Sequence, residues 1–151
     1  MSKRFTSTAK WDDAWFRNLD PKYKLFWVYI LDRCDQAGVW KEDFESVEWH
    51  TKQVFNKAEI LSVFNLGDKK RIDEFKPGYW FVPDFISFQY GQLSTACKPH
   101  MFVLGLLRKH EIKGYPKGIQ TLKDKDKDKD KDKDSVVNGV NLPTWRGSVK
   151  R

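Results

Sequence analysis

From Tyr23 to Cys34 the large apolar side chains fall at spacings of four, three and four (Tyr23, Trp27, Ile30, Cys34), the stripe of an amphipathic helix. Phe26, Tyr29 and Leu31 widen that stripe, so a helix over about 21–35 is predicted at the centre of the core. Asp20 and Pro21 supply its start, with Asp as the N-cap and Pro at the first helical position, and Gly38 ends it. Val39 and Trp40 form a very short extended piece. Asp43 opens a second helix to about His50, and Thr51 to Phe55 make a turn. Asn56 followed by Glu59 fits a capping box that opens a third helix, with Ile60, Leu61 and Phe64 on its buried face and Gly67 at its end. The rhythm then changes. Lys70 to Phe75 alternates charged and apolar residues and Tyr79 to Val82 is rich in strand formers, with Lys76, Pro77 and Gly78 as the turn of a hairpin. Asp84 is placed to cap a short aromatic helix through Phe85, Phe88 and Tyr90. A last helix is expected over about 98–110, with Met101, Leu104 and Leu107 inward.

Helix, short strand, helix, turn, helix, strand, turn, strand and further helices is the order of a winged helix-turn-helix. The predicted class is α+β, mainly α, with extra C-terminal helices and a disordered tail. The third helix would be the recognition helix and the Lys76–Gly78 turn the tip of the wing. Residues 1–19 read as an N-terminal arm that packs down through Trp11, Trp15 and Phe16.

Six Lys-Asp dipeptides occupy 123–134. With no apolar side chain the tract cannot bury surface to offset the entropy of ordering. Like charges recur there at i,i+4, and Asp is a poor helix former. The organisation read from this is a winged-helix domain with its arm at 1–122, a disordered linker at 123–134, and a disordered basic peptide at 135–151. The chain carries 28 Lys+Arg and 21 Asp+Glu, a net charge of +7. The repeat is neutral and the last segment brings +3 through Arg146, Lys150 and Arg151, which leaves +4 for residues 1–122. That mild excess is compatible with a polyanionic partner without demanding one. The polar N-terminus, the absence of a long apolar run and two isolated cysteines, Cys34 and Cys97, point to a cytosolic protein with reduced thiols and no membrane partner.

Three stretches, KWDDAWFRNLDPKYKLFWVYILDRCDQAGVW, YWFVPDFISFQYG and LLRKHEIKGYPKGIQTLKDKDKDKD, resemble phage-type and prophage-type replication proteins. The likeness is to the winged-helix N-terminal domains of replisome organisers and replication initiators, and it covers about residues 4–134. It rests on overall pattern and not on a catalytic signature. It implies binding of origin or single-stranded DNA in the cytoplasm of a bacterial host. It further implies recruitment of a replicative helicase or its loader by a C-terminal part, of which PTWRGSVKR looks like the beginning.

The candidate DNA contacts fall into two sets. On the third helix, Ser62 and Asn65 are expected to face outward, where short polar side chains reach base edges; the same face carries Glu59 and also fits an ordinary amphipathic surface. Around the helix and the wing, Lys52, Lys57, Lys69, Lys70, Arg71 and Lys76 are expected to contact phosphates. Lysines on a hairpin also serve to block strand pairing. A third basic group, Arg108, Lys109, Lys113 and Lys117, sits at the end of the last helix, where the helix dipole is enough to explain Arg108 and Lys109. Trp11, Trp15, Trp27, Trp40 and Trp80 are spaced mainly as core residues, while Tyr79 and Trp80, neighbours on a strand, offer one ring outward for stacking on a base. No catalytic residue, metal ligand or cofactor is expected. Cys97 and His100 form only one loose pair where a structural zinc site offers two, and no phosphate-cradling glycine loop, nucleophile elbow or HExxH occurs. The alternatives to a DNA-binding replication module are a protein-interaction adaptor that recruits replication partners and a winged-helix transcriptional regulator.

Overall fold

Phe26 is fully buried, and its ring centroid lies 4.9 Å from that of Phe55, 5.8 Å from those of Trp40 and Phe64, and 6.0 Å from that of Trp80. The protein, as a computed structural model, is described over residues 3–115. The Lys-Asp repeat, the basic peptide after it and Lys117 lie outside the described residues. Around Phe26 the chain is α+β. A 3-10 turn (Thr8–Trp11) and α1 (Ala14–Asn18) precede α2 (Pro21–Arg33), and β1 (Val39–Lys41), α3 (Phe44–Thr51) and α4 (Lys57–Phe64) follow. The hairpin strands β2 (Asp73–Lys76) and β3 (Tyr79–Phe81), then α5 (Phe85–Tyr90) and α6 (Lys98–Lys109), complete the order. That order is compatible with a winged helix.

Tyr23, Phe26 and Ile30 form the buried stripe of α2; Trp27, expected on that stripe, is only half-buried, and Phe26, expected to widen it, takes its place. Helix α3 starts where Asp43 accepts a hydrogen bond from the Ser46 amide at 3.0 Å, and α4 where Asn56 accepts from the Glu59 amide at 3.1 Å. Two expected caps differ. The side chains of Asp20 and Asp84 accept no capping bond, and Pro21, with its fixed φ and missing N–H, begins α2 without one. The reciprocal half of the capping box is also replaced, because Glu59 reaches Tyr23 and Lys22 instead of the Asn56 amide.

The sheet is antiparallel with the order β1–β3–β2. Trp40 pairs with Trp80 across β1 and β3, and Glu74 with Trp80 across β2 and β3. A register shift between Glu74 and Lys76 sets Lys76 opposite Tyr79. Strand β2 is shorter than its alternation predicts, since residues 70–72 belong to no strand and are held by Asn65 instead. Gly38, at φ +78°, turns the chain into β1 where an added Cβ would stand 2.8 Å from Phe85 Cβ. That combination excludes a side chain.

Helix α6 closes the fold through Val103, Leu104 and Leu107, with Met101 only half-buried. Beyond its end His110 Nε2 lies 2.8 Å from Asp35 Oδ2, while Asp35 Oδ1 accepts from the amides of Ala37 at 2.8 Å and Val39 at 3.0 Å. Phe16 is buried and Trp15 half-buried, as an arm that packs down requires. Trp11, expected beside them, remains 60% exposed and touches Phe16 edge-on. No described helix is long and apolar enough to cross a membrane.

Candidate nucleic-acid interface

Lys57, the first residue of α4, is partly exposed but held by two carboxylates. Its Nζ lies 2.6 Å from Glu42 Oε1 and also binds Glu74, so it joins the start of α4 to β2. The hydrogen bond to Glu42, then that to Glu74, raises the Lys57 pKa above its ordinary value, and Lys57 in turn holds the Glu74 carboxyl below the usual carboxylate range. Glu42 also accepts from Trp80 Nε1. Lys57 is one of the expected phosphate contacts, and a phosphate there has to displace two carboxylates that the fold already holds.

Asn65 is likewise committed to the fold. Its Oδ1 accepts from the amides of Arg71 at 2.8 Å and Ile72 at 3.0 Å, and its Nδ2 donates to the Ile72 carbonyl at 2.9 Å. These three bonds tie the end of α4 to the approach to β2 and occupy the Asn65 oxygen and one of its two N–H groups. Ser62 is exposed on the outer face of α4, beside Ala58 and Glu59. The Tyr23 hydroxyl donates to Glu59, and this bond, ahead of Lys22 at 3.5 Å, holds the Glu59 carboxyl below its ordinary pKa. From 58 to 66 the sequence has no Lys or Arg, so this helix surface offers polar groups without positive charge.

On the hairpin side, two of the expected cations are ion-paired. Lys69 binds Asp84, and Lys70 Nζ lies 2.6 Å from Asp73 Oδ1. Both pairs are exposed, and such pairs contribute little to stability, but each brings a negative charge beside the lysine. Arg71 and Lys76 differ. The Arg71 guanidinium lies 4.1 Å from the Trp15 ring centroid, and Lys76 Nζ lies 4.1 Å from that of Tyr79 and 5.6 Å from that of Phe75. Neither makes an ion pair with a described residue. Of the Tyr79–Trp80 pair, Trp80 is fully buried and Tyr79 half-buried, so any outward ring is Tyr79.

Lys52 repeats the pattern at the helix-turn-helix. It is the C-cap of α3 in the left-handed conformation, φ 57°, and its Nζ lies 4.6 Å from the Trp49 ring centroid. Trp49 is 67% exposed and was not among the residues expected to matter. Its signal was available, because Phe44 and Val47 define the inner stripe of α3 and Trp49 falls well off it on a helical wheel. Three cations of the expected set thus lie on aromatic rings and face no carboxylate partner among the described residues: Lys52, Arg71 and Lys76. A cation over a ring keeps its N–H donors for an anion, and the attraction is worth about 0.5–1 kcal/mol where exposed. Of the third basic group, Arg108 and Lys109 stand in the last turn of α6, and Lys113 follows it. His100 does not pair with Cys97; its Nδ1 accepts from the Ser94 amide at 3.1 Å. No family model, curated protein or solved structure matches the chain.

Proposed function

We propose that residues 1–122 form a winged-helix DNA-binding module of a phage-type replication initiation protein. In this reading Lys52, Arg71 and Lys76 contact phosphates and Ser62 lies toward base edges, with Lys57, Lys69, Lys70 and Asn65 acting as structural supports. The observation that carries the reading is the triplet of cations on aromatic rings without acidic partners among the described residues, two of which flank the segment from the α3–α4 turn to the wing. Phosphate contacts supply most of the affinity of such surfaces and make it depend on salt. The resemblance extends the proposal to a bacterial cytoplasm and to a replicative helicase or its loader as partner of the C-terminal segment. The test is binding of the full chain to labelled duplex and single-stranded DNA across a salt series. The reading expects affinity that falls steadily as salt rises; absence of binding at low salt refutes it.

A second reading, a protein-interaction adaptor, is favoured by one observation. The outer surface of the helix-turn-helix lacks positive charge on α4 and exposes Val54 at 80% and Leu66 at 75%. Apolar exposure of this kind suits a protein partner better than a phosphate backbone.

A further inference from the structure

We propose that the trough beneath the N-terminal arm binds a nucleotide, an aromatic base carrying a phosphate, either free or at the end of a strand. The arm is fastened at two points. Arg4 Nη2 donates to the Cys34 carbonyl at 2.7 Å with its guanidinium 5.1 Å from the Phe85 ring centroid. The Phe5 amide donates to Gln89 Oε1 at 2.9 Å, and Gln89 Nε2 returns a bond to the Phe5 carbonyl at 2.8 Å. Behind the fastened arm lie two adjoining cavities of about 380 and 450 Å³, which share Ser7, Lys10, Trp27, Val82 and Asp84. Each falls within the size range of small-ligand sites, roughly 300–1,000 Å³.

The two halves differ in chemistry. The larger is lined by Trp27, Val28, Leu31 and Phe85, an apolar and aromatic surface suited to the face of a base, and also by the charged side chains of Arg4, Lys10, Asp32 and Asp84. The smaller is lined by Lys10, Trp15, Lys69 and Arg71, with Asp13 and Asp84. Both carboxylates are already engaged: Asp84 pairs with Lys69, and Asp13 accepts from the Phe16 amide at 3.0 Å. Lys10 donates only to the Thr6 hydroxyl, at 2.9 Å, and Arg71 makes no ion pair with a described residue. Positive charge therefore outweighs negative at this end.

Trp15 adds a second, independent sign. Its ring lines the smaller cavity with the Arg71 guanidinium over it, and its Nε1–H is buried with no hydrogen-bond partner among the described residues, a condition that costs about 1–3 kcal/mol. A ligand with an anion near Lys10 and Arg71 and a flat apolar ring near Trp27 and Phe85 satisfies both halves. The site shares Arg71 with the proposed DNA surface but not Lys52 or Lys76, so the two readings fail separately.

The experiment follows the Trp15 indole N–H by NMR in the full chain, assigned through its neighbours Trp27 and Phe64. The additions are dAMP, a 5′-phosphorylated dA hexamer and inorganic phosphate. Expected are a saturable shift of Trp15 with dAMP, little with inorganic phosphate, and a loss of roughly tenfold or more in dAMP affinity for Arg71→Gln, the effect of one charge-assisted hydrogen bond. A hexamer that binds tighter than dAMP identifies a strand terminus as the ligand, and equal affinity identifies a free nucleotide. The proposal is overturned if dAMP leaves Trp15 unmoved or if inorganic phosphate moves it equally. A hexamer that shifts Trp49 and leaves Trp15 unmoved overturns it too, while leaving the DNA reading intact.

Discussion

Asn65 Oδ1 accepts a hydrogen bond from the backbone amide of Arg71 at 2.8 Å. This bond, with the two to Ile72, fixes the path from α4 to the hairpin and positions Arg71 over Trp15. Asn65→Ala is therefore expected to destabilise the fold by about 1–3 kcal/mol, because it leaves half-buried backbone groups unpaired. Ser62→Ala, at an exposed position, should stay within about 0.5 kcal/mol of the parent. Urea unfolding of both variants measures the contrast; equal stabilities would mean that the Asn65 clasp does not hold the hairpin.

Gly38→Ala should be among the most harmful single-methyl changes in the chain. The backbone there has φ +78°, and the new Cβ meets Phe85 Cβ at 2.8 Å. Left-handed strain and overpacking together cost more than about 2 kcal/mol. Thermal unfolding reads the effect. Gly67→Ala, also at positive φ but with nothing within 4 Å, separates strain from crowding and should be the milder of the two.

Glu74→Gln removes a carboxylate from the Lys57 cluster and should change the pH dependence of stability. The Glu74 pKa lies below its ordinary 4.5, chiefly through the hydrogen bond from Lys57. A lowered carboxylate stabilises the fold fully above 4.5, and that contribution is lost as pH falls through the lowered value. Lys57, raised above 10.5 chiefly by Glu42, gives the opposite limb: its contribution is full below 10.5 and lost as pH rises through the raised value. The stability difference between parent and Glu74→Gln should thus be flat between those limits and shrink outside them. A difference independent of pH on the acid side contradicts the pairing.

The two thiols should react at very different rates. Cys34 is buried, and desolvation pushes its pKa up to about 12, which leaves almost no thiolate near neutral pH. Cys97 is only half-buried, at the N-cap of α6. Titration of the native protein with a thiol-specific chromophore at mildly alkaline pH should release one fast equivalent, assigned to Cys97 by its loss in Cys97→Ser. Two fast equivalents would show that the α2–β1 corner opens readily.

Local order was readable from the residues; the state of the charges was not. Asp43 and Asn56 mark helix starts by chemistry that acts within three residues, and helical period places Tyr23 and Ile30 on the buried face of α2 but does not decide between Phe26 and Trp27 for the position between them. Lys57 meets Glu42 and Glu74, and Lys69 meets Asp84, in each case across an intervening helix, turn or strand. No periodicity places such partners together. Lys70–Asp73 is different, since its i,i+3 spacing lies in plain view. A helical wheel places Asn65 on the polar, outward side, but it is the C-cap of α4, where the chain turns and a side chain serves the next segment. Trp49 lies off the core spacing of α3, where periodicity marks an exposed position without saying what the ring does there.

The claim that Lys52 and Lys76 contact phosphate while Lys57 supports the fold is tested most directly by the salt dependence of DNA binding. Fluorescence anisotropy of a labelled DNA should be followed across salt for the parent, Lys52→Gln, Lys76→Gln and Lys57→Gln. Lys52→Gln and Lys76→Gln should each weaken binding alike on unrelated sequences and reduce the log–log salt slope by about one. Lys57→Gln should leave the slope unchanged and lower stability instead. A slope that falls for Lys57→Gln and stays constant for the other two contradicts the account.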